Sequence, residues 1–255
     1  MNNDLERGAM RALLLAEVRK ITTTRTARWL LLAAALLSGV ATAGLVLSAK
    51  GRGIDLKSAT GMRTVMHGAS TGSMLVLVLG IIGMAGEFRT GTIVDTLLTT
   101  PRRARVVAAK LIVYLGAGLL FGLTCAAVTL GAGAALMQSK GATLAPGTSA
   151  VWLTLIGTIS WSAGYGAIGV AVGALIRNQA AAIVAALAWI FVVEQLVIGV
   201  FDSLGKWLPA NAGAALGRAP QKGLLGMAAG GAVLAVYAAV LALAATRLTM
   251  RRDVT

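Results

Sequence analysis

The stretch from Gly86 to Lys110, GEFRTGTIVDTLLTTPRRARVVAAK, separates two long apolar blocks of the chain. The 255-residue sequence is 57% hydrophobic and only 13% charged, whereas ordinary soluble domains contain about 25% charged residues. Its apolar residues come in blocks of about 20 or more, the length that a helix needs to cross a bilayer, and not in the short alternating segments of a β-barrel. The sequence therefore predicts an all-α integral membrane protein, in which the quoted stretch connects two spans.

Six blocks are long and apolar enough to form transmembrane helices. They cover residues 27–48, 64–85, 107–137, 150–176, 180–201 and 223–245. Because the number of spans is even, both termini are expected on one side. That side, which includes residues 86–110, carries 15 of the Lys and Arg residues against eight on the other, so the positive-inside rule predicts cytoplasmic termini. Residues 1–255 are predicted to form a single transmembrane domain.

The net charge of +14 comes from 23 Lys and Arg residues against nine acids. These basic residues flank the apolar blocks, as insertion topology and anionic lipid head groups favour, and no basic stripe carries interleaved aromatic residues, so no nucleic-acid partner is expected. The single histidine, His67, excludes a zinc site built on paired histidines. No nucleophile with a neighbouring base is evident, so neither a catalytic residue nor a metal site is predicted.

Residues 8–26 predict an amphipathic helix that lies in the membrane interface. Its apolar face is formed by Met10, Leu13, Leu14, Val18 and Ile21. Glu17 is the one polar residue on that face, whereas Arg19 and Lys20 lie elsewhere and are expected to meet lipid head groups. Residues 202–222 are too polar to span and too apolar for a plain loop, and Pro209 within them is expected to break any helix. They predict short re-entrant helices in the outer leaflet.

The connection at residues 86–105 predicts a short amphipathic helix between two membrane spans. Gly86 is expected to end the second span, Thr90 or Thr92 to cap the new helix, and Pro101 to stop it. The apolar face of this helix comprises Ile93, Val94, Leu97 and Leu98, and the opposite face comprises Asp95, Thr96 and Thr99.

This short helix either rests on the membrane surface or docks on a partner. Docking is favoured because anionic lipids repel Glu87 and Asp95, and because so short a helix is not stable alone in water. For Glu87 and Arg89, the alternative is a local salt bridge on the surface.

Together, these features resemble the permease subunit of a type-2 ABC exporter. The residues that match the connection motif of this family are Gly86, Glu87, Gly91, Thr92, Thr100, Pro101, Arg103 and Lys110. The segment AEVRKITTTRTARW (Ala16–Trp29) is similar to the first segment of the family, and Leu208–Pro209 is similar to its outer re-entrant region.

The resemblance implies that residues 86–105 form a coupling helix, which docks on a separate ATPase subunit. The coupling residues that it implies are Glu87, Arg89, Gly91, Thr92, Asp95, Leu97, Leu98, Pro101 and Arg103. It also implies two copies of that ATPase, which hold ATP and Mg, and a second permease that forms a homodimer with this one in the bacterial cytoplasmic membrane. The chain lacks a G-x-x-x-x-G-K-[ST] motif, so it is expected to bind no cofactor and to be no enzyme. A drug-like or antibiotic-like amphiphile is the favoured substrate.

Glu194 lies inside the fifth block, with Gln195 beside it. An ionisable side chain within a span is costly and by default indicates function. The pair is expected to line the translocation pathway, to meet across a dimer, or to carry a proton; otherwise Glu194 extends to the outer interface. A proton-carrying Glu194 favours a secondary transporter or channel without an ATPase, a class that predicts inverted repeats, which this sequence does not contain.

Overall fold

The computed structural model describes residues 2–90, 103–144 and 147–251, and these ranges are built from helices and the turns between them. We number the helices in chain order. They are α1 (Asn2–Thr23), α2 (Arg25–Leu47), α3 (Ala59–His67), α4 (Ser73–Thr90), α5 (Arg103–Ser139), α6 (Ser149–Ile176), α7 (Gln179–Ala188), α8 (Glu194–Val200), α9 (Asp202–Gly205), α10 (Pro209–Leu216) and α11 (Met227–Arg251).

Six helical segments of the described chain are long and apolar enough to cross a membrane. They are Arg25–Leu47, Ala59–Thr90, Ala104–Ser139, Ser149–Ile176, Gln179–Val200 and Met227–Arg247. Each overlaps one of the six predicted blocks and departs from it by only a few residues at either end. The prediction of an all-α protein with six membrane helices is therefore confirmed.

The second span differs from the predicted single helix in two ways. It is divided into α3 and α4 by a 3-10 turn at Gly68–Gly72, where Gly72 lies so close to Cys125 of α5 that a side chain would collide with it. At its other end, Gly86 does not terminate the helix, contrary to the prediction. Helix α4 continues to Thr90, and the Thr90 hydroxyl donates a hydrogen bond to the Gly86 carbonyl at 3.1 Å.

Helix α6 occupies the centre of the bundle, because glycines let its neighbours approach its backbone. Gly80 of α4 lies against Gly166 and Gly169 of α6, and Gly118 of α5 lies against the Ser162 carbonyl and Ala163 of the same helix. Gly122 and Gly173 also lie in these helix contacts, whereas a side chain at Gly226 would meet no atom within 4 Å. Close contact at small residues is the usual way in which membrane helices associate.

The first, fifth and sixth spans lie at the outside of the bundle. In their most apolar windows only 22%, 11% and 11% of the residues, respectively, are buried within the chain. Their large apolar side chains, such as Leu36, Phe191 and Val240, are more than half exposed. Such surfaces are stable where the surrounding solvent is lipid.

The fifth span and the segment after it are irregular. A π turn at Trp189–Val193 separates α7 from α8, and π turns inside helices are frequent at functional sites. Two short helices, α9 and α10, follow in the predicted re-entrant region. Pro209 begins α10 and does not break it, because the first helical position requires no backbone N–H donor. The location of α9 and α10 in a leaflet stays a prediction.

Candidate functional site

Four charged side chains from three helices form one ion-pair cluster, which we call the lysine–glutamate cluster: Glu17, Lys20, Glu87 and Lys110. The Lys110 ammonium donates to Glu17 Oε2 at 2.6 Å and to Glu87 Oε1 at 2.8 Å. The Lys20 ammonium donates to Glu17 Oε1 at 2.8 Å and to Glu87 Oε1 at 2.6 Å. Each lysine therefore binds both carboxylates, and the four formal charges sum to zero.

Most of the cluster is shielded from solvent. The exposed fraction of the side chain is 0% for Lys110, 4% for Glu17 and 9% for Glu87, but 46% for Lys20. Removing one partner from a buried ion pair typically costs about 3–5 kcal/mol, because the other charge is left without compensation. Lys110 is thus the member whose loss is the most costly.

The sequence of α1 positions Glu17 for this role. Glu17 is buried while its neighbours Ala16 and Val18 are exposed, and Leu13, Leu14 and Ile21 on the same face are partly buried. The face that carries Glu17 packs on α5. The polar break in the apolar face of α1 is therefore the residue that binds Lys110.

Helices α4 and α5 meet closely at the cluster because of a glycine. Gly83 lies one turn before Glu87, and a side chain at Gly83 would overlap the Tyr114 ring of α5. The Gly83 carbonyl also accepts a hydrogen bond from the Lys110 ammonium at 3.3 Å. All three donors of this ammonium therefore have acceptors.

Lys20 closes the solvent side of the cluster. Burial lowers the pKa of Lys20, but hydrogen bonds to Glu17 and Glu87 outweigh burial, so the pKa lies above its ordinary value of 10.5. Lys20 is therefore protonated at neutral pH, and its contribution to stability is lost only as the pH rises through this elevated pKa.

The predicted site residues are distributed as follows. Glu17, Lys20 and Glu87 come together in the cluster, and Lys20 faces the two carboxylates, whereas the sequence placed it toward lipid head groups. The predicted alternative of a surface salt bridge is wrong for Glu87, which is buried and binds Lys20 and Lys110. Arg19 and Arg89 are exposed. Residues outside the described ranges are Gly91, Thr92, Asp95, Leu97, Leu98 and Pro101. Arg103 is the first residue of α5.

Lys110 was not among the predicted coupling residues, although it is the centre of the cluster. Lys110 matches the connection motif, but the sequence predicts it only as a basic residue that flanks the third span. The signal that identifies it is the pair of isolated charges on otherwise apolar surfaces, Glu17 on α1 and Lys110 near the start of α5.

A second acidic position lies in the fifth span. Glu194 follows the π turn and is 0% exposed, whereas Gln195 is exposed. Glu194 lines an apolar cavity, and Gln195 lines a different, more polar one beside α9 and α10. The Glu194 carboxylate is buried against α10, where Oε2 accepts the backbone N–H of Ala210 at 3.0 Å, and its position relative to the outer interface stays a prediction.

Comparison with known proteins identifies the family of the chain. A family model described as an ABC-2 family transporter protein matches residues 13–195, a range that includes the whole lysine–glutamate cluster and Glu194. No curated protein matches the chain. Because the matched range covers well over half of the sequence, including four whole spans and most of the fifth, the chain belongs to the ABC-2 family of transporter proteins, as a multi-pass membrane component of an ABC transporter.

Proposed function

We propose that this protein is the permease subunit of an ATP-driven exporter, which moves a drug-like or antibiotic-like amphiphile out of a bacterial cell by alternating access. Family membership supports the general role. The observation that carries the proposal further is the lysine–glutamate cluster, because it joins three helices at the point where the chain enters residues 91–102, the centre of the predicted coupling connection.

In the proposed mechanism, the connection at residues 86–105 docks into a groove of the ATPase subunit. Two permeases and two ATPases form the transport unit, and ATP and Mg bind to the ATPases. Closure of the ATPases displaces the connection. Because Glu87 lies one turn before the last residue of α4 and is bound to Lys110 and Lys20, this displacement moves α4, α5 and α1 together.

Topology and substrate access support export from the inner side. With both termini in the cytoplasm, the connection and the cluster face the compartment that contains ATP. The distribution of 15 Lys and Arg residues on that side against eight on the other supports this orientation. The described ranges contain no soluble domain, and a substrate taken directly from the bilayer suits such a permease.

A second candidate function is a secondary transporter that uses Glu194 without an ATPase. The observation that favours it is the burial of Glu194 within a span, without an ion pair to any described residue. Carboxylates within membrane spans also occur in proton relays.

Co-purification with an ATPase tests the proposal. The chain would be tagged, co-expressed with a candidate ABC ATPase from the same genome, and purified in mild detergent. We expect the ATPase to be retained by the wild-type chain. Leu97→Asp introduces a charge on the predicted apolar face of the connection and should abolish retention. Thr99→Asp introduces the same charge on the opposite face of the same segment and should preserve it.

Each outcome has a distinct meaning. A wild-type chain that purifies without the ATPase contradicts the exporter and favours the secondary transporter. Retention that is equal in the Leu97→Asp and Thr99→Asp variants contradicts docking through the apolar face, while it leaves the subunit assignment intact. In each variant, an unchanged elution volume of the chain itself in size-exclusion chromatography confirms that the fold is preserved.

A further inference from the structure

A cavity of about 370 Å³ lies between α4, α6, the fifth span and α11. Its volume falls within the range of about 300–1,000 Å³ that is typical of small-molecule sites. Nine of its thirteen lining residues are aliphatic or proline, and the other four are Tyr165, Trp189, Glu194 and Tyr237. The cavity thus combines three aromatic rings and one carboxyl group in apolar surroundings.

The carboxyl group is only half satisfied by the protein. Glu194 Oε2 accepts the Ala210 N–H in the first turn of α10, and the positive end of a helix favours a carboxylate there. Glu194 Oε1 is buried and makes no well-formed hydrogen bond within the described residues. The Trp189 side chain interacts with this carboxyl, but it makes no well-formed hydrogen bond to it. No described cation pairs with Glu194.

The Tyr165 hydroxyl, a second polar group on the cavity lining, also lacks a well-formed hydrogen bond within the described chain. Tyr165 is 1% exposed and packs edge-to-face on Trp161 with ring centroids 5.6 Å apart. Both Tyr165 and Tyr237 interact electrostatically with Glu194. Buried polar groups without partners are rare in native proteins and require an explanation.

The chemistry of this lining selects one class of ligand. An ionised buried carboxylate is strongly destabilising unless a cation pairs with it, and without a cation the group takes up a proton. The faces of Trp and Tyr rings attract cations, and aliphatic walls favour apolar groups. We infer that the cavity lined by Tyr165, Trp189, Glu194 and Tyr237 binds a lipophilic monocation, whose charge lies against Glu194. This inference rests on the proposed function, in which such a cation is the transported substrate.

Equilibrium binding to the wild-type permease tests this inference without an ATPase. The purified chain would be placed in phosphatidylcholine nanodiscs and titrated with tetraphenylphosphonium, a lipophilic monocation. Tetraphenylborate has nearly the same shape and the opposite charge, so it is the matched control ligand. We expect saturable binding of the cation, at least about tenfold tighter than that of the anion after subtraction of empty nanodiscs. Equal binding of the two ions, or no saturable binding of the cation, overturns the inference.

Variants then assign the binding to the cavity. Glu194→Gln removes the charge and should weaken tetraphenylphosphonium binding at least about tenfold, whereas Glu194→Asp should weaken it less. Gln195→Ala changes the adjacent side chain, which faces another cavity, and should leave the affinity unchanged. Unaltered affinity in the Glu194→Gln variant overturns the inference, as does an equal loss in the Gln195→Ala variant. If Glu194→Gln does not fold, the comparison of the two ions on the wild-type chain still decides. Because co-purification with the ATPase is measured separately, failure here is distinguishable from failure of the proposed function.

Discussion

Lys110 illustrates how a single side chain can hold several elements together in a membrane protein. Its ammonium has no contact with solvent, yet it binds the Glu17 and Glu87 carboxylates and the Gly83 carbonyl. Two carboxylates and two ammonium groups together make the cluster neutral, and this neutrality lowers the cost of burying the charges. Removal of any one member would leave an uncompensated charge among the other three.

Replacing Lys110 by methionine should destabilise the protein strongly. Lys110→Met preserves much of the side-chain volume but leaves two buried carboxylates with only Lys20 between them, and we expect a loss of about 3–5 kcal/mol. Lys20→Met is the matched control, and its effect should be smaller because Lys20 is 46% exposed and solvent screens its charge. The midpoint of thermal unfolding in detergent measures both variants.

A triple variant separates charge from packing. Combining Lys110→Met with Glu17→Gln and Glu87→Gln removes all the deeply buried charges, and it should recover much of the lost stability. Equal midpoints for Lys110→Met and Lys20→Met, or a triple variant no more stable than Lys110→Met alone, would contradict the electrostatic account of the cluster.

At the residue scale, the sequence revealed the unusual positions but not their partners. Glu17 was recognised as the polar break on an apolar face, and Glu194 as an isolated acid in a span. The pairing of Glu17 with Lys110 joins residues 93 positions apart, and that of Glu87 with Lys20 joins residues 67 positions apart. No local pattern encodes such distant contacts, because they depend on how three helices pack.

At the element scale, α5 has different surfaces on its two sides. Gly118 lies against the Ser162 carbonyl and Ala163 of α6, whereas a side chain at Gly116 would meet no atom within 4 Å. These two glycines are two residues apart on the same helix and therefore face different surroundings. Gly118 permits the contact between α5 and α6, and Gly116 does not take part in it.

Alanine substitutions should distinguish the two glycines. Gly118→Ala places a methyl group against the backbone of α6, so α5 must move away and the thermal midpoint should fall by several degrees. Gly116→Ala adds the same methyl group in open space, where alanine favours the helix by up to about 1 kcal/mol, and the midpoint should not fall. Equal decreases in the two variants would show that close packing at Gly118 is not what stabilises the helix pair.

The membrane helices could be predicted because long apolar runs dominate the sequence, and the ends of these runs lie within a few residues of the helix ends. Two details could not be predicted in this way. The 3-10 turn at Gly68–Gly72 lies in a less apolar stretch, HGASTGS (His67–Ser73), whose composition does not specify how the backbone turns. The second span continues past Gly86, because a glycine alone does not end a helix when the following backbone and the Thr90 side chain maintain its hydrogen bonds.

At the scale of the whole molecule, the even number of spans gives a prediction for topology. In a Cys125→Ala background, single cysteines would be introduced as Arg11→Cys, Lys57→Cys and Lys140→Cys, all at exposed positions. A membrane-impermeant maleimide added to intact cells should label the cysteines at 57 and 140. The cysteine at 11 should react only after the cells are opened. Labelling at 11 in intact cells would reverse the proposed orientation.

The separation of the cluster along the chain also has a consequence for biosynthesis. Glu17 is synthesised with the first helix, but Lys110 follows only after two further helical segments have left the ribosome. Until then, the growing chain carries Glu17 and then Glu87 with Lys20 as their single cluster cation. A nascent chain arrested before Lys110 would therefore present an acidic pair without its central cation.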